Sequence, residues 1–364
     1  MATFGRIALL TGGGDAPGLN GVIRAIVKTV RYRYGIEKVI GFRDGFAGLV
    51  RNNYVSLDLE GVSGILHRGG TILGTSNRDN PFRFPVVVDE KVTYQDASRQ
   101  ALENLRALGV EVLIAIGGDG SLSIGREFHK LGLKVIGVPK TIDNDLSATD
   151  VTFGFDTAVT TATEALDKLH TTAESHHRIM ILEVMGRYAG WIALHAGMAG
   201  GADVILIPEI PYDLRKVKEK IEERRKHGKF FSIIVVAEGA VEQGGDMVVA
   251  RLVEGSTDPI RLGGAGQAVA DRLAQLTGLE TRVTVLGHLQ RGGSPTSYDR
   301  ILATRFGVKA AELAVQGPWG QMVALRGSEI TAVPLDEAVK QLKKVDPRGE
   351  MVAAARAVGI SFGV

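Results

Sequence analysis

The sequence predicts an α/β protein built on mainly parallel sheets, and three observations carry that prediction. Short, Val- and Ile-rich apolar runs recur along the 364 residues, and such unbroken runs read as strands buried on both faces, since one-sided strands alternate. Helical patterns lie between the runs, and strand alternating with helix gives parallel sheets. Glycine clusters sit where the runs end, and in open sheets ligands bind beyond the carboxyl ends of the strands.

The elements follow in order. Residues 7–10 run into Gly12-Gly13-Gly14-Asp15-Ala16-Pro17-Gly18. Residues 19–32 then place Val22, Ile23, Ile26, Val27 and Val30 on one helical face, with Asp15 read as the N-cap. Helical spacing returns over 97–108 and 159–169. The run 112–116 ends in Gly117-Gly118-Asp119-Gly120-Ser121, and 135–138 ends in Pro139 and the segment 140–145. Run 179–184 leads into Met185-Gly186-Arg187, 233–237 into Glu238-Gly239, and 283–286 into Gly287-His288-Leu289-Gln290-Arg291-Gly292-Gly293. Residues 213–229 read as a solvated surface helix with a thin stripe of Leu214, Val217 and Ile221. Residues 241–266 read as a polar loop to which no role attaches. From about Ser297 the chain reads as helix, then as strand at 322–325, so that it crosses between domains.

Composition narrows the class. At about 100–200 residues per domain the length predicts two domains, possibly three, and 45% apolar residues suffice for a core in each. The absence of cysteine excludes disulfides, cysteine metal sites and a cysteine nucleophile, and fits a reduced cytosol; the expected location is cytoplasmic. No run approaches the roughly 20 apolar residues of a membrane span, and glycines interrupt the N-terminal stretch too early for a signal peptide. With 43 basic residues against 41 acidic, neither nucleic acid nor membrane is an expected partner. The 47 glycines make up about 13% of the chain against an average near 7%, so their positions matter.

The clusters point to phosphate chemistry. Gly12-x-Gly14 begins like a dinucleotide fingerprint, but Pro17 takes the place of its last glycine. No GxxxxGK[ST] occurs, nor a kinase HRD. A glycine loop before a helix still cradles phosphate. Asp119 among glycines suits magnesium, which takes one or two carboxylates plus substrate phosphates; an Asx-turn explains it too. Thr141-Ile142-Asp143-Asn144-Asp145 sets two carboxylates one residue apart, which repel unless a cation or donor compensates them. One can take a proton from a substrate hydroxyl while the other orients a cation; a polar turn is the plain alternative. Arg78, Arg178, Arg187, Arg282, His288 and Arg291 form a dispersed anion-binding set. Each alone reads as a surface charge, and His288 as a core histidine. Glu238 suits sugar hydroxyls or caps a turn. Together they describe a phosphoryl-transfer site without a P-loop.

TGGGDAPGLN, IGGDGS, PKTIDND, EVMGRYAGWIAL and LGHLQRGGSPTSYDR, in this order, resemble the 6-phosphofructokinases from about Arg6 to Gly320. The resemblance implies two Rossmann-like domains with mainly parallel sheets and an active site in the cleft between them. It divides the chain into a donor domain (1–154 plus 294–344) and a sugar-phosphate domain (155–293 plus 345–364). It implies transfer from a nucleotide, with Mg2+, to O1 of fructose 6-phosphate. Asp143 falls on the base, Thr141 on the transition-state threonine, Asp119 on the metal carboxylate and Asp145 on its support, with Arg187 also among the catalytic residues. Donor contacts fall on Gly14, Arg78, Gly118, Gly120, Ser121 and Lys140. Sugar-phosphate contacts fall on Thr141, Asp143, Met185, Gly186, Arg187, Glu238, His288 and Arg291. Arg178 and Arg282 take the places of two arginines that reach a neighbouring subunit's site, so a homo-oligomer, dimer or tetramer, is expected.

Two donor markers disagree. Gly120 leaves room for an α-phosphate that a carboxylate would repel, as nucleotide users require. Lys140 is the residue of pyrophosphate users, but a flexible lysine is expected to swing aside for a nucleotide. ATP is therefore expected, with pyrophosphate or ADP as alternatives. Other GGDG kinases lack the TIDND and HLQRGG segments, and a non-catalytic sugar-phosphate sensor would not need Asp143. Arg24 and Lys28 keep charge on the first helix, residues 227–231 carry fewer basic groups than compact bacterial members, and Asp203 stands for a glutamate. These differences predict a weak or altered response to phosphorylated effectors.

Overall fold

The computed structural model describes residues 6–37, 39–252 and 260–364. The chain opens with β1 (Arg6–Thr11), α1 (Leu19–Tyr34), β2 (Val39–Phe42), α2 (Phe46–Arg51) and β3 (Tyr54–Leu57). A hairpin, β4 (Phe84–Val88) and β5 (Lys91–Gln95), precedes α3 (Ser98–Ala107), β6 (Val110–Gly117), α4 (Asp119–Lys130) and β7 (Lys134–Pro139). Next come α5 (Phe155–His176), β8 (Ile179–Val184), α6 (Trp191–Ala199), β9 (Val204–Leu206), α7 (Leu214–Lys226) and β10 (Ser232–Ala237). The chain continues through β11 (Val249–Leu252), β12 (Ile260–Leu262), α8 (Ala265–Thr277) and β13 (Thr281–Val285). A 3-10 turn (Gly287–Arg291) leads to α9 (Ser297–Gln316), β14 (Gln321–Arg326), β15 (Glu329–Pro334), α10 (Leu335–Ala338) and α11 (Glu350–Ala357).

Two sheets organise these elements. The first has seven strands in the order β15-β14-β7-β6-β1-β2-β3, and the second has four in the order β13-β8-β10-β9. The second is parallel throughout, while β15 and β3 are antiparallel edges of the first. Both sheets carry helices on both faces, as strand sequences without alternation demand. Ile7 and Leu9 of β1 pack with α1 and α9, whereas Ala8 and Leu10 face the layer holding α2, α3 and α4. In the second sheet Leu182 and Val235 face α5 and α6, and Ile181 and Ile234 face α7 and α8. After joining the first sheet with β14, the chain returns to the second, where Ser361 pairs with Val204 of β9.

Several expectations change. The run at 283–286 is an edge strand and not a doubly buried one: Val285 is 57% exposed. Residues 241–266 hold the antiparallel pair β11 and β12, although 253–259 of that segment lie outside the described residues. Asp15 does not cap α1. Gly18 is the N-cap, at φ 103°, and Asp15 accepts the Thr71 N–H instead, at 3.2 Å. The helix starts at Leu19, so Asp15 lies three residues before the capping position, which glycine fills in the left-handed region. Helix α7 is the surface helix expected, with Leu214, Val217 and Ile221 buried and Asp213 capping it.

Candidate active site

Three loops of the first sheet meet because β1, β6 and β7 are neighbours whose carboxyl ends lie side by side. Glycine is required at their contact: a Cβ on Gly12 would lie 2.4 Å from Ser121 Oγ, and one on Gly117 2.4 Å from Ser121 Cβ. Lys140 joins all three loops. Its N–H donates to the Gly117 carbonyl at 2.9 Å, and Nζ donates to the Gly14 carbonyl. This lysine is buried, and it is not the side chain, free to swing aside, that is expected for ATP. Burial and the charge of Arg291 lower its pKa to about 7, against the pull of Asp15, Asp143 and Asp145. Gly12 and Gly13 direct their N–H groups to Ile116 and Ser76, so those two do not form the anion cradle suggested by the sequence. The other donor-side feature is the start of α4, with Gly118 as N-cap and Asp119 in its first turn. A Cβ on Gly120 would meet no atom within 4 Å.

The carboxylates follow β7. Asp143 donates its N–H to Thr141 Oγ1 at 3.1 Å, and Asn144 bends the loop in the left-handed region at φ 52°. Among the described residues, Asp143 Oδ1 is the only buried side-chain nitrogen or oxygen without a hydrogen-bond partner. Burial raises the pKa of Asp143; Arg291, Lys140 and Arg187 oppose the shift, and Asp119 adds to it. Burial also lifts Asp145, to about 7, with repulsion from Asp143 and Asp119. Three mutually repelling carboxylates are hard donors suited to a cation. Among the described residues no three His, Cys, Asp or Glu side chains group closely enough to hold a metal by themselves. Magnesium would therefore take other ligands from phosphate and water, as is usual for that ion.

The second sheet supplies the facing wall. The Met185 N–H donates to Gln290 Oε1 at 3.3 Å, and Gln290, fully buried, anchors the 3-10 turn through the Gly287 carbonyl. Gly186 has φ 136°, and a Cβ on Gly239 would lie 1.9 Å from the Arg187 carbonyl, so the ends of β8 and β10 approach backbone to backbone. Glu238 closes β10. Burial raises its pKa to about 7, with Asp143 adding to the shift and Arg187 and Arg291 opposing it. Arg291 bridges the two walls: Nη1 donates to the Asp15 carbonyl at 3.2 Å and would lie 2.8 Å from a Cβ on Gly14.

Most of the sequence-predicted residues thus converge. His288 is exposed on its turn and is not a core histidine. Arg78 is exposed on a loop fastened to Gly13 through Thr75 Oγ1 at 2.6 Å and through the Ser76 carbonyl. Arg178 and Arg282 stand apart, at the amino ends of β8 and β13, where both pair with Glu280. Asp203 is held by Arg224 at 2.5 Å and by the Ile233 N–H at 2.9 Å. Sequence reasoning misses Asn144 as a fulcrum, Lys343 behind it, and Asp299. Asp299 accepts the Gly154 N–H, the Thr157 N–H and the Thr157 hydroxyl at 2.9, 2.8 and 2.6 Å, capping α5 from α9. The TSYDR string contains Asp299, but only the third dimension shows what it caps.

Known proteins resemble this chain over its whole length. The phosphofructokinase family model matches residues 6–314. ATP-dependent 6-phosphofructokinase 2 of Clostridium perfringens is 57% identical over 100% of this chain and 99% of its own. A pyrophosphate–fructose 6-phosphate 1-phosphotransferase of Streptomyces coelicolor is 51% identical over 98% of this chain and 100% of its own. Pichia pastoris phosphofructokinase, solved in the T-state, superposes with a TM-score of 0.79 at 32% identity, over 97% of this chain and 36% of the larger yeast chain. With a family match over most of its length and relatives more than half identical along all of it, the chain belongs to the phosphofructokinase family.

Proposed function

We propose that the protein is a 6-phosphofructokinase transferring the γ-phosphoryl group of ATP to O1 of fructose 6-phosphate, giving fructose 1,6-bisphosphate and ADP in cytoplasmic glycolysis. The observation that carries this reading is Asp143 Oδ1, buried and unpartnered between Arg187, Arg291 and Lys140. Leaving a buried carboxylate oxygen unpaired costs about 1–3 kcal/mol, and a substrate hydroxyl would satisfy it. Asp143 takes the O1 proton as O1 bonds to the γ-phosphorus and the bridging oxygen leaves with ADP. A carboxylate with a raised pKa is the stronger base for that step. Thr141 and Arg187 stabilise the charge spread over the transferring oxygens. Asp119, supported by Asp145, would hold Mg2+, which neutralises donor phosphate charge when bound.

Gly14, Gly118, Gly120, Ser121, Lys140 and Arg78 line the donor side. Met185, Gly186, Glu238, His288 and Arg291 hold the sugar phosphate. The position of Arg178 and Arg282, away from their own chain's cleft, supports their completing a neighbour's site in a homo-oligomer. The two sheets support a donor domain of 1–154 plus 294–344 and a sugar-phosphate domain of 155–293 plus 345–364.

A second reading has a specific observation behind it: Lys140, anchored at the Gly14 carbonyl, occupies the donor side as in pyrophosphate users. Measuring fructose 1,6-bisphosphate formation with ATP, ADP or pyrophosphate at equal magnesium decides between donors. ATP is expected to exceed pyrophosphate by about tenfold or more, a gap of roughly 1.4 kcal/mol in the barrier. Faster turnover with pyrophosphate or ADP reassigns the donor, and no product from any of them removes the kinase reading.

A further inference from the structure

Behind the carboxylate loop lies a lysine that no motif contains. Lys343 sits on the segment running from the first sheet to the second, and its ammonium has three donors. All three are used: Nζ lies 2.9 Å from Asn144 Oδ1, 3.1 Å from the Thr149 carbonyl and 2.8 Å from the Asp150 carbonyl. Its own N–H donates to the Asp145 carbonyl at 2.7 Å, so the same residue grips the loop twice, at Asn144 and at the residue after it. Asn144 Oδ1 also accepts the Thr152 N–H at 3.2 Å, which locks the amide in one orientation. The second sheet's layer holds Lys343 in turn. Trp191 Nε1 of α6 donates to the Lys343 carbonyl at 2.9 Å, and the ammonium lies 5.8 Å from the Trp191 ring. Two residues on, the Val345 N–H donates to Glu209 Oε1 at 2.8 Å, and Glu209 also takes the Gly190 N–H that opens α6.

We infer that Lys343 is a positioning residue: through Asn144 and the Asp145 carbonyl it fixes the Asp143 and Asp145 carboxylates, and through Trp191 it sets them relative to the sugar-phosphate wall. This rests on the proposed base role of Asp143. Asn144 lies between the two carboxylates in a left-handed conformation, so rotation there swings both. The three ammonium bonds and the backbone N–H of Lys343 all go to residues 144–150, so its effect passes through the loop. An ordinary surface lysine would have solvated donors and no such grip. Lys344, the adjacent residue, is exposed.

The test compares steady-state kinetics and thermal unfolding of wild type, Lys343→Met, Asn144→Gly and their double variant. Glycine tolerates the left-handed backbone at 144, so Asn144→Gly removes the link without straining the turn. Each single variant is expected to lower kcat by about 10- to 100-fold, the scale of an ångström-sized misplacement. KM for fructose 6-phosphate should stay within about twofold of wild type, as for an interaction made only in the transition state. The double variant should be no slower than the slower single variant, because the two residues act in series. Unchanged kcat in a folded Lys343→Met overturns the inference, as does full additivity. If Lys343→Met does not fold, Asn144→Gly carries the test, and wild-type-like kcat there is equally fatal. Lys340→Met, at an exposed lysine of the same segment, is the control and should keep wild-type kcat. A wild-type protein inactive on fructose 6-phosphate would instead overturn the proposed function, an outcome seen before any variant is made.

Discussion

A methyl group on Gly120 would enter empty space, so a larger side chain fits there without disturbing the fold. Gly120→Asp should therefore yield a folded protein with an unchanged melting temperature, yet one whose ATP-dependent turnover falls by about 100-fold or more, because the new carboxylate repels the nucleotide. Retained ATP activity in a coupled assay would break the link between Gly120 and donor choice. The neighbouring carboxylates make a second prediction, with an unusual sign. Asp145 has a folded-state pKa of about 7, above its ordinary 3.8. The folded protein therefore binds more protons than the unfolded chain between those values, and its stability falls as pH rises through that window. Asp145→Asn should raise the melting temperature of the ligand-free protein at pH 8 and leave it nearly unchanged below pH 4, as calorimetry across pH can record. A variant that melts lower than wild type at pH 8 would contradict the repulsion.

At the level of elements, α5 begins with two backbone donors that its own sequence does not cap, since Gly154 has no side chain. Asp299 supplies the cap from α9, and with it a joint between the helix layers of the two sheets. Asp299→Ala leaves three buried donors unmet, at about 1–3 kcal/mol each, and should cost about 3 kcal/mol or more in urea unfolding; a loss below experimental error would show that water replaces the carboxylate. The same cap illustrates what sequence can and cannot tell. Runs such as 112–116, 135–138 and 233–237 were legible as strands because burial on both faces removes polar residues, and the placing of Asp119, Asp143 and Glu238 beyond strand ends because they follow such runs. The edge strand β13 was misread for its valines, although one of them faces outward in the single chain. Lys343 was invisible because a Lys-Lys pair looks like solvated charge, and Asp15 was misread because an aspartate before a helix is usually its cap. In each case a distant partner decides the role.

For the whole molecule, the proposed completion of a neighbour's site by Arg178 and Arg282 can be tested by complementation. Asp143→Ser and Arg282→Ala should each be inactive alone. If sites are shared between two chains, mixing the variants under dissociating and then reassociating conditions should restore roughly a quarter of wild-type activity, since half the pairs are hybrids with one intact site. Mixtures as inactive as their components would place both residues in one chain's site. The path of the chain has another consequence, for synthesis. The first sheet lacks β14 and β15 until residue 334 is made, and the pairing of Ser361 with β9 comes later still. A growing chain therefore leaves the edge of β7 unpaired until β14 has been made, and the edge of β9 open until residue 361 has, so both edges are free to pair wrongly in the interval.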